Sequence, residues 1–241
     1  MLSPSSLTII DSFWRQHFGC TEGADLFTTP PQVLGHAGDL TGYEGVFALY
    51  RATGGSIISV PPPRMAQVAA LLPEWETSLG SFADLFPVEL RKAVVGPAFI
   101  GYTLSDPPCH GETRLLSPED GPRIGILQAA CDTTGWDHGG TSLGECTAAA
   151  GSFKDGTLVA LAGYKVWGGH LAHISIVTHP LHRGKGYGRQ AVALLTGHAL
   201  SQKLIPQYRT LESNAASVAI ARALGFEHYG SSIAIRLHPE P

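Results

Sequence analysis

"HPLHRGKGYGRQAV", residues 179–192, is the stretch on which the reading of this chain turns. Gly184, Gly186 and Gly188 fall within five positions. The apolar run Ile174–Val177 precedes them, and a helical pattern follows in which Ala191, Val192, Leu195 and Ala199 form the buried stripe. Glycine tolerates positive φ and lets ligand atoms come close to the backbone. A bare loop between a strand and a helix points free amides, and the positive end of a helix dipole, at one place. The guest that suits such a place is a phosphate or pyrophosphate. Arg183, Lys185 and Arg189 flank the loop and can add charge, although Lys185 can equally be a solvated loop cation.

Two phosphate-binding patterns fail on this stretch. The Walker pattern needs Ser or Thr after Gly184-Lys185, and Gly186 stands there; the dinucleotide fingerprint started at Gly184 needs a third glycine where Arg189 stands. The context differs as well. Thr147–Phe153, Leu158–Val166 and Leu171–Thr178, joined by "KDG" and "WGG", read as an antiparallel meander leading into the loop. The stretch does match R-x-x-G-x-G, as Arg183, Gly186 and Gly188, with Pro180 three residues before Arg183. Downstream, "NAASVAIARALGF" places Asn214, Ser217, Gly225 and Phe226. On these residues the part of the chain from 113 to 237 resembles the GNAT superfamily of acyl-CoA-dependent N-acyltransferases.

The resemblance implies an α/β (α+β) fold with a mixed, mostly antiparallel sheet and a splayed central strand pair. In that arrangement the loop amides of Gly184, Lys185, Gly186, Tyr187, Gly188 and Arg189, with Arg183 beside them, bind the pyrophosphate of CoA. A bulge splays Leu171–Thr178 away from Gln207–Glu212, and the pantetheine arm lies in the gap. By register from Arg183, the amides of Ile176 and Thr178, on either side of Val177, face it. One of them serves the thioester oxygen as an oxyanion donor. Asn214 contacts the arm, with Ser217 following it. Acetyl-CoA is the implied cosubstrate, with no metal, and the acceptor is a primary amine of a small molecule or peptide, attacking directly through a tetrahedral intermediate.

The match breaks at the proton-transfer groups. The family's tyrosine, five residues before the Phe of "GF", falls at Ala221, and its strand glutamate falls near Ala172. An aliphatic amine, with a pKa near 10, is mostly protonated at neutral pH, so something must take a proton. Glu145, just before the meander, ranks first as that group, then His170, which shares the strand parity of Ala172, then His138 in an irregular loop. Water relay to an already neutral amine stays open. So does the alternative that the chain binds acyl-CoA without catalysis. Blander readings stand beside these. Asn214 with Ser217 at N3 is a good helix cap, and Gly225-Phe226 is a helix stop followed by a core aromatic. His170 with His173, and His179 with His182, are three apart, which on a strand puts the rings on opposite faces and argues against a metal.

The remainder of the chain sets bounds. With 241 residues one or two domains are expected, and the formal charge of −4 argues against nucleic-acid coating. No apolar run approaches the roughly 18–20 residues of a membrane span, and the first basic residue is Arg15, so no secretory signal or membrane contact is expected. The cysteines Cys20, Cys109, Cys131 and Cys146 form no C-x-x-C, which reads as reduced thiols and a cytoplasmic location. Residues 5–18 predict an amphipathic helix, 45–51 and 56–60 a strand hairpin, 64–72 a helix and 99–104 a strand. Residues 1–104 are thus an N-terminal α/β domain, unrecognised, on the acceptor side or as a cap. "SDPPCHGE", 105–112, is the linker. The domain 113–241 follows. It has a strand at 113–116, Ser117 as N-cap of a helix to 130, helices at 186–202 and 214–224, and strands at 207–212, 226–229 and 232–237. A homodimer is left open.

Overall fold

The computed structural model describes residues 1–20, 25–71 and 79–238. Along the chain run α1 (Pro4–Phe18), β1 (Gln32–Gly35), β2 (Gly45–Arg51), β3 (Ser56–Val60), α2 (Met65–Leu71), α3 (Leu79–Phe82) and β4 (Arg91–Tyr102). Then come β5 (Thr113–Leu115), α4 (Gly121–Ala130), α5 (Thr133–Gly139), β6 (Ala148–Lys154), β7 (Thr157–Trp167), β8 (Leu171–Thr178), α6 (Tyr187–Ser201), β9 (Ile205–Leu211), α7 (Ala215–Ala223) and β10 (Glu227–Leu237). The result is a mixed α/β fold with mostly antiparallel strand pairs. Contacts divide it into two compact units. The first holds Ser3–Ile100, Thr210–Asn214 and His228–Pro241; the second holds Met1–Leu2, Gly101–Arg209 and Ala215–Glu227. Among the described residues no helix is long and apolar enough to cross a membrane.

In the first unit α1 begins where Ser3 accepts a hydrogen bond from the Ser6 amide and ends at Gly19, whose φ of 66° only glycine adopts readily. Its Ile10, Phe13, Trp14 and Phe18 are buried, at the spacing the sequence shows. The strands lie in the order β1-β3-β2-β10, with β1 parallel to β3 and the others antiparallel. Val46, Ile58, Val60, Val68, Phe82, Ile233 and Ile235 close its core. Two expectations are corrected here. The last strands, expected as 226–229 and 232–237, are one strand, β10, paired with β2 from Gly230↔Arg51 to Arg236↔Gly45. "GS" at 230–231 separates the two expected strands. Yet Gly230 lies so close to the Tyr50 carbonyl that a Cβ would clash, and Ser231 and Ser232 are buried. The strand expected at 99–104 spans Arg91–Tyr102, with Gly96-Pro97 inside it although proline is ordinarily confined to strand edges and bulges. Gly96 (φ 128°) fits there because a Cβ would come 2.7 Å from the Ser232 carbonyl oxygen. The helix expected at 64–72 spans Met65–Leu71, and Leu72 lies outside the described residues.

In the second unit the strands lie in the order β9-β8-β7-β6-β5, antiparallel except for the parallel β8–β9 pair. α6 packs on β6, β7 and β8 through Gly188, Ala191, Val192, Leu195 and Ala199. The opposite face carries α4 on β7 and α5 on β8, over Leu161, Val177, Ile124 and Leu127. The alternation of Ala160 and Ala162 with Leu161 suits this: small residues let α6 approach, and the large one fills the other face. Ahead of α4, Ser117 and Asp120 form a reciprocal capping box with Pro118 at the first helical position. The Asp120 carboxylate, 1% exposed, also takes both Arg114 guanidinium nitrogens at 2.7 Å and Arg123 at 3.1 Å. The bond to Arg114 holds its pKa far below the ordinary carboxylate range. Residues 103–110 have no regular secondary structure.

Candidate active site

The chain leaves β8 through a 3-10 turn, Pro180–His182, whose cap is the His179 side chain accepting from the Leu181 amide at 3.2 Å. The next residues are held by their own cations. Arg183 Nε donates to the Thr178 carbonyl at 3.3 Å and its guanidinium lies 3.9 Å from Asp132, the N-cap of α5, while Lys185 Nζ donates to the Leu181 carbonyl at 3.0 Å. Gly184 (φ 74°) and Gly186 (φ 87°) then turn the chain into α6. Space does not require glycine at either, since nothing lies within 4 Å of an added Cβ; the positive φ does. Gly188 is the reverse case: its helical backbone suits any residue, but a Cβ would meet Thr178 Oγ1 at 2.7 Å. No side chain caps α6, and its first helical bond runs from the Gln190 amide to Gly186 O at 3.1 Å. The amides of Tyr187, Gly188 and Arg189 are therefore left for another acceptor.

Beside this helix start the sheet opens. The parallel ladder of β8 and β9 runs from Leu171↔Ile205 to Ile174↔Tyr208 and stops there. The His179 amide donates to Val159 O on β7 at 2.9 Å, and the antiparallel register alternates from that point. The amides of Val177 and Ser175 accordingly face β7, and those of Ile176 and Thr178 face away from it, toward the open edge. Val177 is turned into the core under α4. The opening needs no bulge in β8, whose register with β7 is unbroken from Ala160↔Thr178 to Trp167↔Leu171. A register shift lies instead in β6, between Ser152 and Phe153. At this edge Gly139, the last residue of α5, lies so close to the Ile176 carbonyl oxygen that a Cβ would clash.

A model of the acetyltransferase (GNAT) family matches residues 128–226, the stretch that holds the meander, the glycine loop and α7. Residues 128–226 form a GNAT acetyltransferase domain. The domain is that of an acyltransferase, and acetyl transfer is the general reaction of its family. Solved structures similar to the chain include a GNAT-family acetyltransferase of Novosphingobium aromaticivorans, 21% identical, covering 64% of this chain and 70% of that one, with a TM-score of 0.48. A GNAT-family acetyltransferase of Colwellia psychrerythraea is 14% identical over 67% of this chain and 63% of its own, less than two thirds, with a TM-score of 0.47. A GCN5-related N-acetyltransferase-like protein of Streptococcus suis is 15% identical over 83% and 90%, with a TM-score of 0.48. A sequence comparison with curated proteins finds no match.

The GNAT domain places the three candidate bases apart. Glu145 is exposed in the turn before β6, where its carboxylate takes the Ser142 amide at 3.4 Å. His170 sits in the β7–β8 turn at the closed end of the ladder, six strand positions or roughly 20 Å from Ile176. His138 is in α5, next to Gly139; its side chain lies outside the described residues. Three tyrosines that lie close in sequence to the loop, β9 and α7 also separate. Tyr187 opens α6, Tyr229 donates to Asp11 at 2.7 Å in the first unit, and Tyr208 lies beside Ser217, their oxygens 2.9 Å apart. Burial pushes Tyr208 up to about 12. Ala221 is fully buried. Asn214 is the exposed residue immediately before α7.

Sequence reasoning considered His173 only as a metal partner of His170. In the structure its Nδ1–H donates to Gln207 Oε1 at 2.7 Å, its ring stacks on Trp167 at 3.8 Å, and Gln207 donates on to Tyr102 at 2.6 Å. Burial, with Arg209 and Lys165 near it, pulls its pKa down to about 4, so it is neutral at physiological pH. The pairing needs the parallel register His173↔Gln207, which no local pattern carries.

Proposed function

We propose that the protein moves an acetyl group from acetyl-CoA to a primary amine of a small molecule or peptide, by direct attack of the amine on the thioester. The observation that carries this reading is the uncapped start of α6, entered through two positive-φ glycines and adjoining the free edge of β8. The amides of Tyr187, Gly188 and Arg189 hold the pyrophosphate, and the helix dipole adds to their pull. Gly188, by having no side chain, lets α6 sit on Thr178 and keeps these amides level with the edge. The Thr178 and Ile176 amides pair with the pantetheine arm. The Ile176 amide donates to the thioester oxygen, a bond that strengthens as that oxygen gains charge in the tetrahedral intermediate.

Proton removal is assigned to the segment from α5 to the turn before β6. His138 adjoins the glycine seated on Ile176, and Glu145 follows seven positions later; His170 is at the other end of β8. Leaving-group protonation falls to solvent, because Ala221 offers no acid and Tyr208, at about 12, holds its proton too tightly to yield it to a thiolate whose own pKa is about 8.5. Ala221 and Ala172 also favour the second reading, a module that binds acyl-CoA without catalysis.

One experiment separates the readings. Acetyl-CoA, but not NAD or ATP, should raise the melting temperature, and free thiol should be released when a broad panel of small amines and peptide N-termini is added. Binding without thiol release across the panel supports the second reading. No stabilisation by acetyl-CoA overturns both.

A further inference from the structure

The attacking amine has to reach the thioester from one face of the sheet. The face under α6 is closed: Ala172 and Ile174 are buried on that side, and Gly188 seats the helix against Ile176 and Thr178. The other face of β8 shows His173, Ser175 and Val177, of which only Val177 lies in the core under α4. Around His173 this face is lined from three strands. Lys165 of β7 stands opposite it, Gln207 of β9 stands on its other side, and Arg209 comes two positions after Gln207, which returns it to the same face.

The arrangement is one-sided in charge. β7, β8 and β9 contain no aspartate or glutamate. The charges that act on His173 are those of Arg209 and Lys165, and together with burial they keep the ring neutral at physiological pH. Its Nδ1–H is committed to Gln207, which donates on to Tyr102, so Nε2 carries the lone pair. That nitrogen has no hydrogen-bond partner among the described residues, and the exposed Lys165 ammonium has no hydrogen bond or ion pair among them. On the covering segment Asp132 lies by Arg183, Glu145 takes the Ser142 amide, and Asp137 is exposed on α5. Two cations with a lone pair between them repel an acceptor that brings a further cation, and they suit one that brings an anion beside its N–H.

We propose that the acceptor is an amine that carries a carboxylate on the same small skeleton, as an amino acid does, with the carboxylate held by Lys165 in the field of Arg209 and the amine donating to Nε2 of His173. Ile176 is three strand positions, or about 10 Å, beyond His173, a span that the thioester and the attacking amine fill between them. The proposal rests on the acetyl-transfer reading above and narrows its small-molecule or peptide amine to one class.

The test is thiol release from acetyl-CoA with matched acceptors at equal concentration: amino acids, the corresponding amino acid amides, and aliphatic diamines. The best acceptor should be an amino acid, and it should exceed its own amide at least about tenfold in kcat/KM, the size of one hydrogen bond to a charged group. Lys165→Met should raise KM for that amino acid about tenfold, until acid and amide are used alike, with acetyl-CoA affinity unchanged by calorimetry. Lys165→Glu should reverse the order, so that diamines exceed amino acids. Gln207→Glu sets a carboxylate on Nδ1 and favours the protonated ring, which has no lone pair, so turnover should fall more steeply below pH 7 than in wild type. Matching pH profiles would overturn the contact between the amine and His173. If amides or diamines lead in wild type, or if both Lys165 variants keep the wild-type order, the assignment of the acceptor falls and acetyl transfer stands. If acetyl-CoA binds and no acceptor releases thiol, the acetyl-transfer reading falls and takes this one with it.

Discussion

β3 enters α2 through Pro61, Pro62, Pro63 and Arg64, whereas β8 enters α6 through residues 179–186, with Gly184 and Gly186 at the end. Both passages start with a 3-10 turn on a proline, Pro62–Arg64 in one and Pro180–His182 in the other. After it they diverge. In the first unit the helix follows at once, and the prolines that precede it have no N–H to offer. Its one cation, Arg64, is 9% exposed and donates to the His238 carbonyl at 3.1 Å. In the second unit four more residues, Arg183 to Gly186, lift the chain into a left-handed turn, and α6 begins with its amides unclaimed. A strand, a turn and a helix in succession therefore do not make an anion site. The free donors do, and they depend on what stands between the turn and the helix.

The largest effect should come from reversing the charge at that point. Gly186→Asp puts a carboxylate where the pyrophosphate is to bind, and like charges in close contact cost several kcal/mol. At tenfold for each 1.4 kcal/mol, CoA affinity should fall at least about 100-fold by calorimetry. Pro62→Ala, the matching change in the other passage, should leave it unaltered. Equal CoA binding by Gly186→Asp and wild type, with both folded by circular dichroism, would break the comparison.

Two charge pairs, one in each unit, differ in the same way. The first unit pairs His17 with an Asp39 side chain that is 63% exposed, a kind of contact worth about 0–1 kcal/mol. The second buries Asp120 under Arg114. Asp120→Asn should cost about 2–3 kcal/mol in urea unfolding at pH 7, the scale of hydrogen bonds to a charged group. Because the folded carboxyl titrates below its unfolded value of about 3.9, the stabilisation is present above pH 4 and drains away as pH falls below it. The difference between wild type and variant should therefore shrink steadily from about pH 4 downward. A difference that stays constant to pH 2 would mean that Asp120 acts by shape and not by charge.

A sharper division lies within the glycine loop itself. Gly188→Val overpacks the contact with Thr178 and should cost about 1–3 kcal/mol of stability, with CoA binding weakened because α6 is pushed off the sheet. Gly184→Ala meets open space and pays only for its positive φ, about 1–2 kcal/mol. Thermal unfolding of the two variants with and without acetyl-CoA checks this. If Gly184→Ala loses more cosubstrate response than Gly188→Val, the close approach of helix and strand is not what sets the amides in place.

What the sequence made legible follows from which forces are local. The hairpin of β2 and β3, the meander, α1 and α6 were all readable, because two-residue and 3.6-residue periodicities and the residues that cap helices are written into neighbouring positions. The glycine loop was readable for the same reason. Long-range pairing was not. β10 looked interrupted at Gly230 because only its partner β2 explains the need for a small residue there, and β4 looked broken at Gly96-Pro97 for a like reason. The His173–Gln207–Tyr102 chain joins residues from three strands, and the strap of residues 106–110 along α6 reads in sequence as a linker and nothing more. The proton-transfer group was the least legible of all, since the two positions where the resemblance would place one hold Ala172 and Ala221, and a missing side chain points to no substitute.

The smallest effect asks whether Tyr208 is that substitute. It stands at the last rung of the β8–β9 ladder, in the domain that carries the glycine loop and beside Ser217 on α7. Tyr208→Phe removes one neutral hydrogen bond, and about 1 kcal/mol of stability at pH 7 should go with it. Burial raises the folded phenol to about 12 against an unfolded value near 10, so the contribution of its neutral form is fully present below pH 10 and is lost as pH rises toward 12. Wild type should destabilise more steeply than Tyr208→Phe across that window. Turnover should be nearly the same in both, because a phenol that holds its proton to about 12 gives it up too slowly to a thiolate to matter. A fall in turnover of about 100-fold, within the range for loss of a general acid, would show instead that the acid absent from position 221 has moved to the strand beside it.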